Sequence, residues 1–219
     1  MHESRTKGVI LDFDGTMGLS LPHWAGAYRD ALAEHGQHRE LPDVINMWFH
    51  RSTSEALKDL GLPEPELFKE SVWERVKARM SAVDPYPGLL DTLRAFWSSA
   101  IRTAVATNSR IGHVSIPLEQ WGILESFHAV VAIEHVPRGK PHPDPILRAL
   151  ELMEVEPRDA VMFGDSPVDI QAGHAAGVTT IAFSPEENHA FCPPLHIEAT
   201  NPSHIVRSYR ELHDIVLSL

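Results

Sequence analysis

Apolar positions along this chain follow two periodicities, and they divide it into regions. Val9-Ile10-Leu11 is an uninterrupted apolar run, the pattern of a strand buried on both faces. It predicts a first strand over roughly residues 8–13. From about Pro22 to His35 the period becomes helical, with Trp24, Ala27, Tyr28, Ala31, Leu32 and His35 on one stripe. Ser20 is a suitable cap for this helix, Pro22 suits its first turn and Gly36 stops it. Helical patterns recur at 42–50, 54–60 and 64–80, the last placing Phe68, Val72, Val76 and Met80 on one face. Nothing between residues 18 and 84 alternates like a strand, so this stretch is predicted to be an all-helical insert.

Tyr86-Pro87-Gly88 is dense turn punctuation and marks a return to a different pattern. Helices are predicted at 87–99, 111–121, 143–153, 167–176 and 205–217, with Pro117 expected to bend or break the second. Short apolar strands are predicted at 102–106, 128–133, 160–163 and 179–183. Strands alternating with helices specify βαβ units with right-handed crossovers. The predicted fold is therefore α/β: a Rossmann-like parallel sheet built from 1–17 and 85–219, with an inserted helical cap over 18–84.

This arrangement gives the polar residues a common location. Asp12 and Asp14 directly follow the first strand, Thr107 and Asn108 the second, and Asp165 a later one. Lys140 precedes a helix that itself follows a strand. In a parallel sheet these strand ends share one edge, where ligands bind. Two carboxylates one residue apart repel unless a cation lies between them or one is protonated. That suggests a divalent metal site or a nucleophile beside an acid. Asp14-Gly15 could instead be a hairpin turn, but no alternating strand follows Thr16.

Charge and composition narrow the partners. The 219 residues carry a formal net charge of −11, which argues against nucleic acid and anionic membranes. Anionic small molecules remain compatible, because a metal and a few placed cations reverse the sign locally. No apolar run approaches membrane-spanning length, and Met1-His2-Glu3-Ser4 does not resemble the start of a signal peptide. The single cysteine, Cys192, suits a reducing, cytoplasmic setting as a plain thiol near a loop. The 14 histidines are scattered without zinc-ligand spacing.

Four motifs in order resemble those of the haloacid dehalogenase superfamily, in its phosphatase branch with a helical cap. They are Asp12-Phe13-Asp14-Gly15-Thr16, Thr107-Asn108-Ser109, Lys140-Pro141-His142-Pro143 and Gly164-Asp165-Ser166-Pro167-Val168-Asp169. The resemblance implies Asp12 as nucleophile and Asp14 as general acid, then base. It implies Mg2+ held by Asp12, Asp165 and the backbone carbonyl of Asp14. Thr107 and the amide of Asn108 would bind phosphate, and Lys140 would neutralise Asp12 and the phosphate. Asp169 would support the metal shell or orient Lys140, or simply meet a helix dipole as a first-turn acid. Because Asp14 is present, carbon dehalogenation is not expected.

The first motif departs from many relatives, since Leu19 stands where an acid is usual. In the cap, Arg51 could reach a substrate anion. His23 and Trp24 are candidates to face the cleft, with solvent for His23 and core packing for Trp24 as the simpler outcomes. The expected function is a Mg-dependent phosphatase for a small phosphorylated metabolite, as monomer or homodimer. The alternatives are a phosphomutase of the same fold and a non-catalytic binding module.

Overall fold

The computed structural model describes residues 6–50, 53–61 and 65–219. Its sheet has six parallel strands: β1 (Gly8–Leu11), β2 (Arg102–Ala106), β3 (Ala129–Val131), β4 (Ala160–Gly164), β5 (Thr179–Phe183) and β6 (His204–Val206). Their order is β3-β2-β1-β4-β5-β6. β1 is central, pairing Gly8–Leu11 with Arg102–Val105 on one side and with Ala160–Phe163 on the other. The strand order reverses between β1 and β4, which makes their carboxyl ends the crevice where such sheets bind ligands.

Strand alternation sends side chains to two separate cores. Val9, Leu11, Val105 and Val161 pack with α5 (Leu89–Ser98), α6 (Ile111–Gln120) and α10 (Tyr209–Ser218). Ile10, Ala104 and Met162 pack on the opposite face with α7 (Asp144–Met153) and α8 (Pro167–Ala176). All four residues of β1 are buried, as its unbroken apolar run requires.

Between β1 and α5 run α1 (Leu21–Glu34), α2 (Leu41–Trp48), α3 (Thr53–Leu60) and α4 (Pro65–Arg79). α1 packs on both α2 and α4, and α4 also meets α6. Tyr28 stacks on Trp48, and Trp48 stacks on Phe68. The chain leaves and re-enters beside itself: Leu19 N–H donates to Asp84 O, and Tyr86 N–H donates to Met17 O, each at 2.9 Å.

Several expectations need correction. The last helix does not begin at Ile205; His204–Val206 is a strand, and α10 starts at Tyr209 with Ser208 accepting from the Glu211 amide. Three residues are too few to show a period of their own, so the helical pattern runs on through them in the sequence. A short helix, α9 (Pro194–Glu198), also precedes β6. Pro117 does not break α6, whose buried Val114, Pro117 and Leu118 hold it across the one missing hydrogen bond. β1 ends at Leu11 and β3 spans only Ala129–Val131, both shorter than expected. Ser20 precedes α1 but makes no side-chain cap; its hydroxyl serves Asp14 instead.

Candidate active site

The crevice between β1 and β4 collects the acids. Asp12 leaves β1 with its amide bonded to Phe163 O at 2.9 Å, so its position is locked to β4. Asp165 follows β4 directly, and both side chains are buried. Between them the chain turns at Gly15, with φ +72°. A Cβ at that position would lie 2.2 Å from Asp165 Oδ2, so only glycine permits the approach.

Lys140 joins the cluster from the segment before α7. Its Nζ donates to Asp12 Oδ1 at 2.6 Å, Asp169 Oδ1 at 2.5 Å and Ala106 O at 2.9 Å. Asp169, in the first turn of α8, accepts at Oδ2 from the amide and hydroxyl of Ser166. It thus helps to close the start of α8 and orients the lysine at once. Asn108 clamps the Lys140 backbone reciprocally, with both bonds at 2.8 Å. Thr107 is buried, and its Oγ1 accepts from the Ser109 amide at 3.0 Å.

Asp14 is turned toward a different set of partners. Its Oδ1 accepts from Ser20 Oγ at 2.6 Å and from Trp24 Nε1 at 2.7 Å. Its Oδ2 accepts from the hydroxyl of Ser109. Two of these donors come from the α1 region and the third from the β2–α6 loop. Sequence reading missed Ser20 and Ser109 as Asp14 partners, although Ser109 stands in the second motif. Trp24 meets both expectations: its ring packs against the main core, and its indole N–H points into the site. His23 does not line the cleft. One residue is about 100° around a helix, so presenting Trp24 to Asp14 turns His23 aside, toward Arg79 and Asp84. Arg51 lies outside the described residues.

The donor set fits a divalent cation. Asp12, Asp165 and Asp169 offer carboxylate oxygens within 4.8 Å of one another, and all three residues are buried. Lys140 supplies one positive charge against three carboxylates. Burial therefore pushes the Asp12 carboxyl up to about 7, against the pull of Lys140. Burial, then the charges of Asp12 and Asp169, push Asp165 well above the usual carboxylate range. Burial disfavours the Lys140 ammonium, but Asp12 and Asp169 outweigh it and hold its pKa above the ordinary value. An excess of buried negative charge and all-oxygen donors suits a hard cation. Each of the three carboxylates also accepts protein donors: Asp12 from Lys140, Asp165 from Asn188 and Thr16, and Asp169 from Lys140 and Ser166. The Asp14 side chain is engaged elsewhere, so only its backbone carbonyl is compatible with the expected set.

Asn188 carries no motif, yet it ties the site together. Its amide donates to Gly15 O at 2.7 Å and to Asp165 Oδ2 at 3.1 Å, and its oxygen accepts from the Tyr86 hydroxyl. Thr16 Oγ1 donates to the other Asp165 oxygen at 3.3 Å.

These residues open into a cleft of about 330 Å³, which is also lined by Leu21, Trp24, Tyr28, Phe49, Trp73 and Phe191. Cys192 lines it as well, a free thiol that burial pushes up to about 12. Burial also lowers the pKa of His113, whose ring stacks on Trp73.

Comparison with known proteins shows the family of the chain. The family model for haloacid dehalogenase-like hydrolases matches residues 9–183. A phosphoglycolate phosphatase of Nitrosospira multiformis is 32% identical over 199 residues, covering 86% of this chain and 83% of that protein. A fructose-1-phosphate phosphatase of Escherichia coli is 30% identical, with 83% and 97% covered. Among solved structures, CbbY from Rhodobacter sphaeroides in complex with phosphate superposes with TM-score 0.80 at 22% identity, covering 98% of this chain and 100% of that one. The protein is thus a phosphoric monoester hydrolase on an α/β parallel-sheet fold. The chain belongs to the haloacid dehalogenase-like hydrolase family.

Proposed function

We propose that this protein is a Mg2+-dependent phosphatase that hydrolyses a small phosphorylated metabolite through an aspartyl phosphate on Asp12. The observation that carries the reading is the separation of roles between two neighbouring carboxylates. Asp12 is buried between Lys140 and Asp165, whereas Asp14 is turned to Ser20, Trp24 and Ser109.

An Asp12 oxygen attacks phosphorus in line, and the bond to the leaving alkoxide breaks. Asp14 gives its proton to that oxygen. Water then attacks the acyl phosphate at phosphorus, Asp14 takes its proton, and phosphate leaves a regenerated Asp12. Thr107 and the Asn108 amide hold phosphate oxygens, and Lys140 offsets the charge of Asp12 and of the transferring group. A magnesium ion held by Asp12, Asp165 and the Asp14 carbonyl would supply Lewis-acid neutralisation between two anions.

Residues 18–84 act as a cap that excludes water and selects the alcohol. The pairing of Leu19 with Asp84 and of Tyr86 with Met17 supports a hinge there. Curated relatives are named for phosphoglycolate, N-acetylmuramic acid 6-phosphate and fructose-1-phosphate, all small phosphomonoesters. Their hydrolytic activity favours water over a second sugar hydroxyl as phosphoryl acceptor. The lone cysteine suits a cytoplasmic setting.

The test is phosphate release from a panel of phosphorylated metabolites with and without Mg2+, with Asp12→Asn as blank. Release that needs both the metal and Asp12 is expected. Undiminished turnover by Asp12→Asn would remove the proposed nucleophile.

A further inference from the structure

The floor and the roof of the cleft have opposite chemistry. Below are Asp12, Asp14, Asp165 and Lys140; above is a continuous arc of rings. Trp73 meets Trp24 edge-on at 5.4 Å, and Trp24 meets Tyr28 at 6.1 Å. Tyr28 meets Phe49 at 6.5 Å, and Phe49 meets Phe191 at 5.0 Å. Trp24, Tyr28, Phe49 and Trp73 are each only half-buried, so part of each ring is left for something to cover.

The charges among the described lining residues are engaged with one another or with the protein. Among the described lining residues the only cation is Lys140, and its ammonium is held by Asp12, Asp169 and Ala106 O. Arg110 lies over Trp73 at 4.6 Å but forms a fork with Glu70 and does not line the cleft. The imidazole of His113 sits against Trp73 with Nδ1 unbonded. A second anionic group on the leaving alcohol would therefore enter an aromatic roof with no free cation among the described lining residues. Burying an unpaired charge there is costly, whereas a neutral ring gains by covering aromatic faces.

From this we propose that the cleft selects phosphomonoesters of neutral, ring-bearing alcohols over those whose alcohol carries a carboxylate or second phosphate. This rests on the phosphatase reading and adds the class of alcohol. The ring could be a sugar, packing C–H bonds on the aromatic arc, or an arene; the shared requirement is an uncharged flat face.

The test measures kcat/KM of the wild-type enzyme with Mg2+ on three primary-alcohol esters of similar leaving-group chemistry. They are a hexose 6-phosphate, benzyl phosphate and 2-phosphoglycolate. One or both ring esters should exceed phosphoglycolate by at least tenfold, and the better of the two identifies sugar or arene. Phe49→Ala should raise KM for that ester at least fivefold more than it raises KM for phosphoglycolate, with the loss in KM exceeding the loss in kcat. Equal or better use of phosphoglycolate by the wild type overturns the proposal. If Arg51→Ala then abolishes that use, selection belongs to Arg51. Phosphate release from none of the esters, nor from a wider panel, would instead remove the phosphatase reading itself.

Discussion

The indole Nε1 of Trp24 donates to Oδ1 of Asp14 at 2.7 Å, so a residue of the helical insert holds the carboxylate proposed as general acid. The two lie ten positions apart, with Trp24 on α1 and Asp14 in the turn after β1. Any movement of α1 away from the sheet would break this bond. Acid placement is thereby coupled to the position of the insert.

Trp24→Phe keeps the ring and removes the donor. Ser20 and Ser109 remain, so the carboxylate stays near its place but loses one constraint. We expect kcat to fall by about tenfold, a fraction of the full contribution of a general acid. The loss should be greater for alkyl than for nitrophenyl esters. Steady-state kinetics on both would check it, and equal losses would place Trp24 outside acid catalysis.

Asp14→Asn removes the proton donor while preserving shape and most acceptor geometry. Turnover of alkyl phosphates should drop by about 10²–10⁴-fold, with nitrophenyl phosphate affected least because its leaving group needs little protonation. A uniform loss across leaving groups would count against the acid role.

Lys140→Met leaves Asp12 and Asp169 buried without their cation. Breaking such a pair costs about 3–5 kcal/mol. The cost should be pH-dependent, since burial already raises the Asp12 carboxyl and the variant removes the opposing pull of Lys140. With its folded pKa above the unfolded one, stability is retained in acid and lost as pH rises. Denaturant titration at pH 5 and pH 8 should show the larger loss at pH 8; equal losses would mean the lysine acts by packing alone.

Asp165 gives the converse case. Its pKa is raised by burial, so the metal-free protein binds an extra proton there when folded. Stability contributed by that proton is present below the unfolded carboxyl pKa and is lost as pH rises toward the folded one. In chelator at pH 8, Asp165→Asn should raise Tm by roughly 3–6 °C, equivalent to about 1–2 kcal/mol. At pH 4 it should match the wild type. Mg2+ should stabilise the wild type more at pH 8 than at pH 5 and barely affect the variant. A pH-independent metal effect would argue that these carboxylates do not hold it.

The sequence alone determined the parallel α/β architecture. Runs such as Val9-Ile10-Leu11 report burial on both faces without knowledge of any neighbour. It also brought Asp12, Thr107, Lys140 and Asp165 to one edge, because parallel strands deliver their carboxyl ends together. Strand β6 escaped notice because its three residues carry no period, and its pairing partner lies in β5. Asn188 was invisible for a similar reason. Its contacts to Gly15 and Asp165 span 173 and 23 positions, and no local pattern records them.

Only the folded chain decided where Asp14 points. Its three donors come from residues 20, 24 and 109, and Trp24 reads as core from spacing alone. The aromatic roof was settled in the same way, by bringing together α1, Phe49, α4 and Phe191. Local sequence fixes which chemistry each strand end carries. The direction of a side chain, and what stands opposite it, depend on packing between segments far apart in the chain.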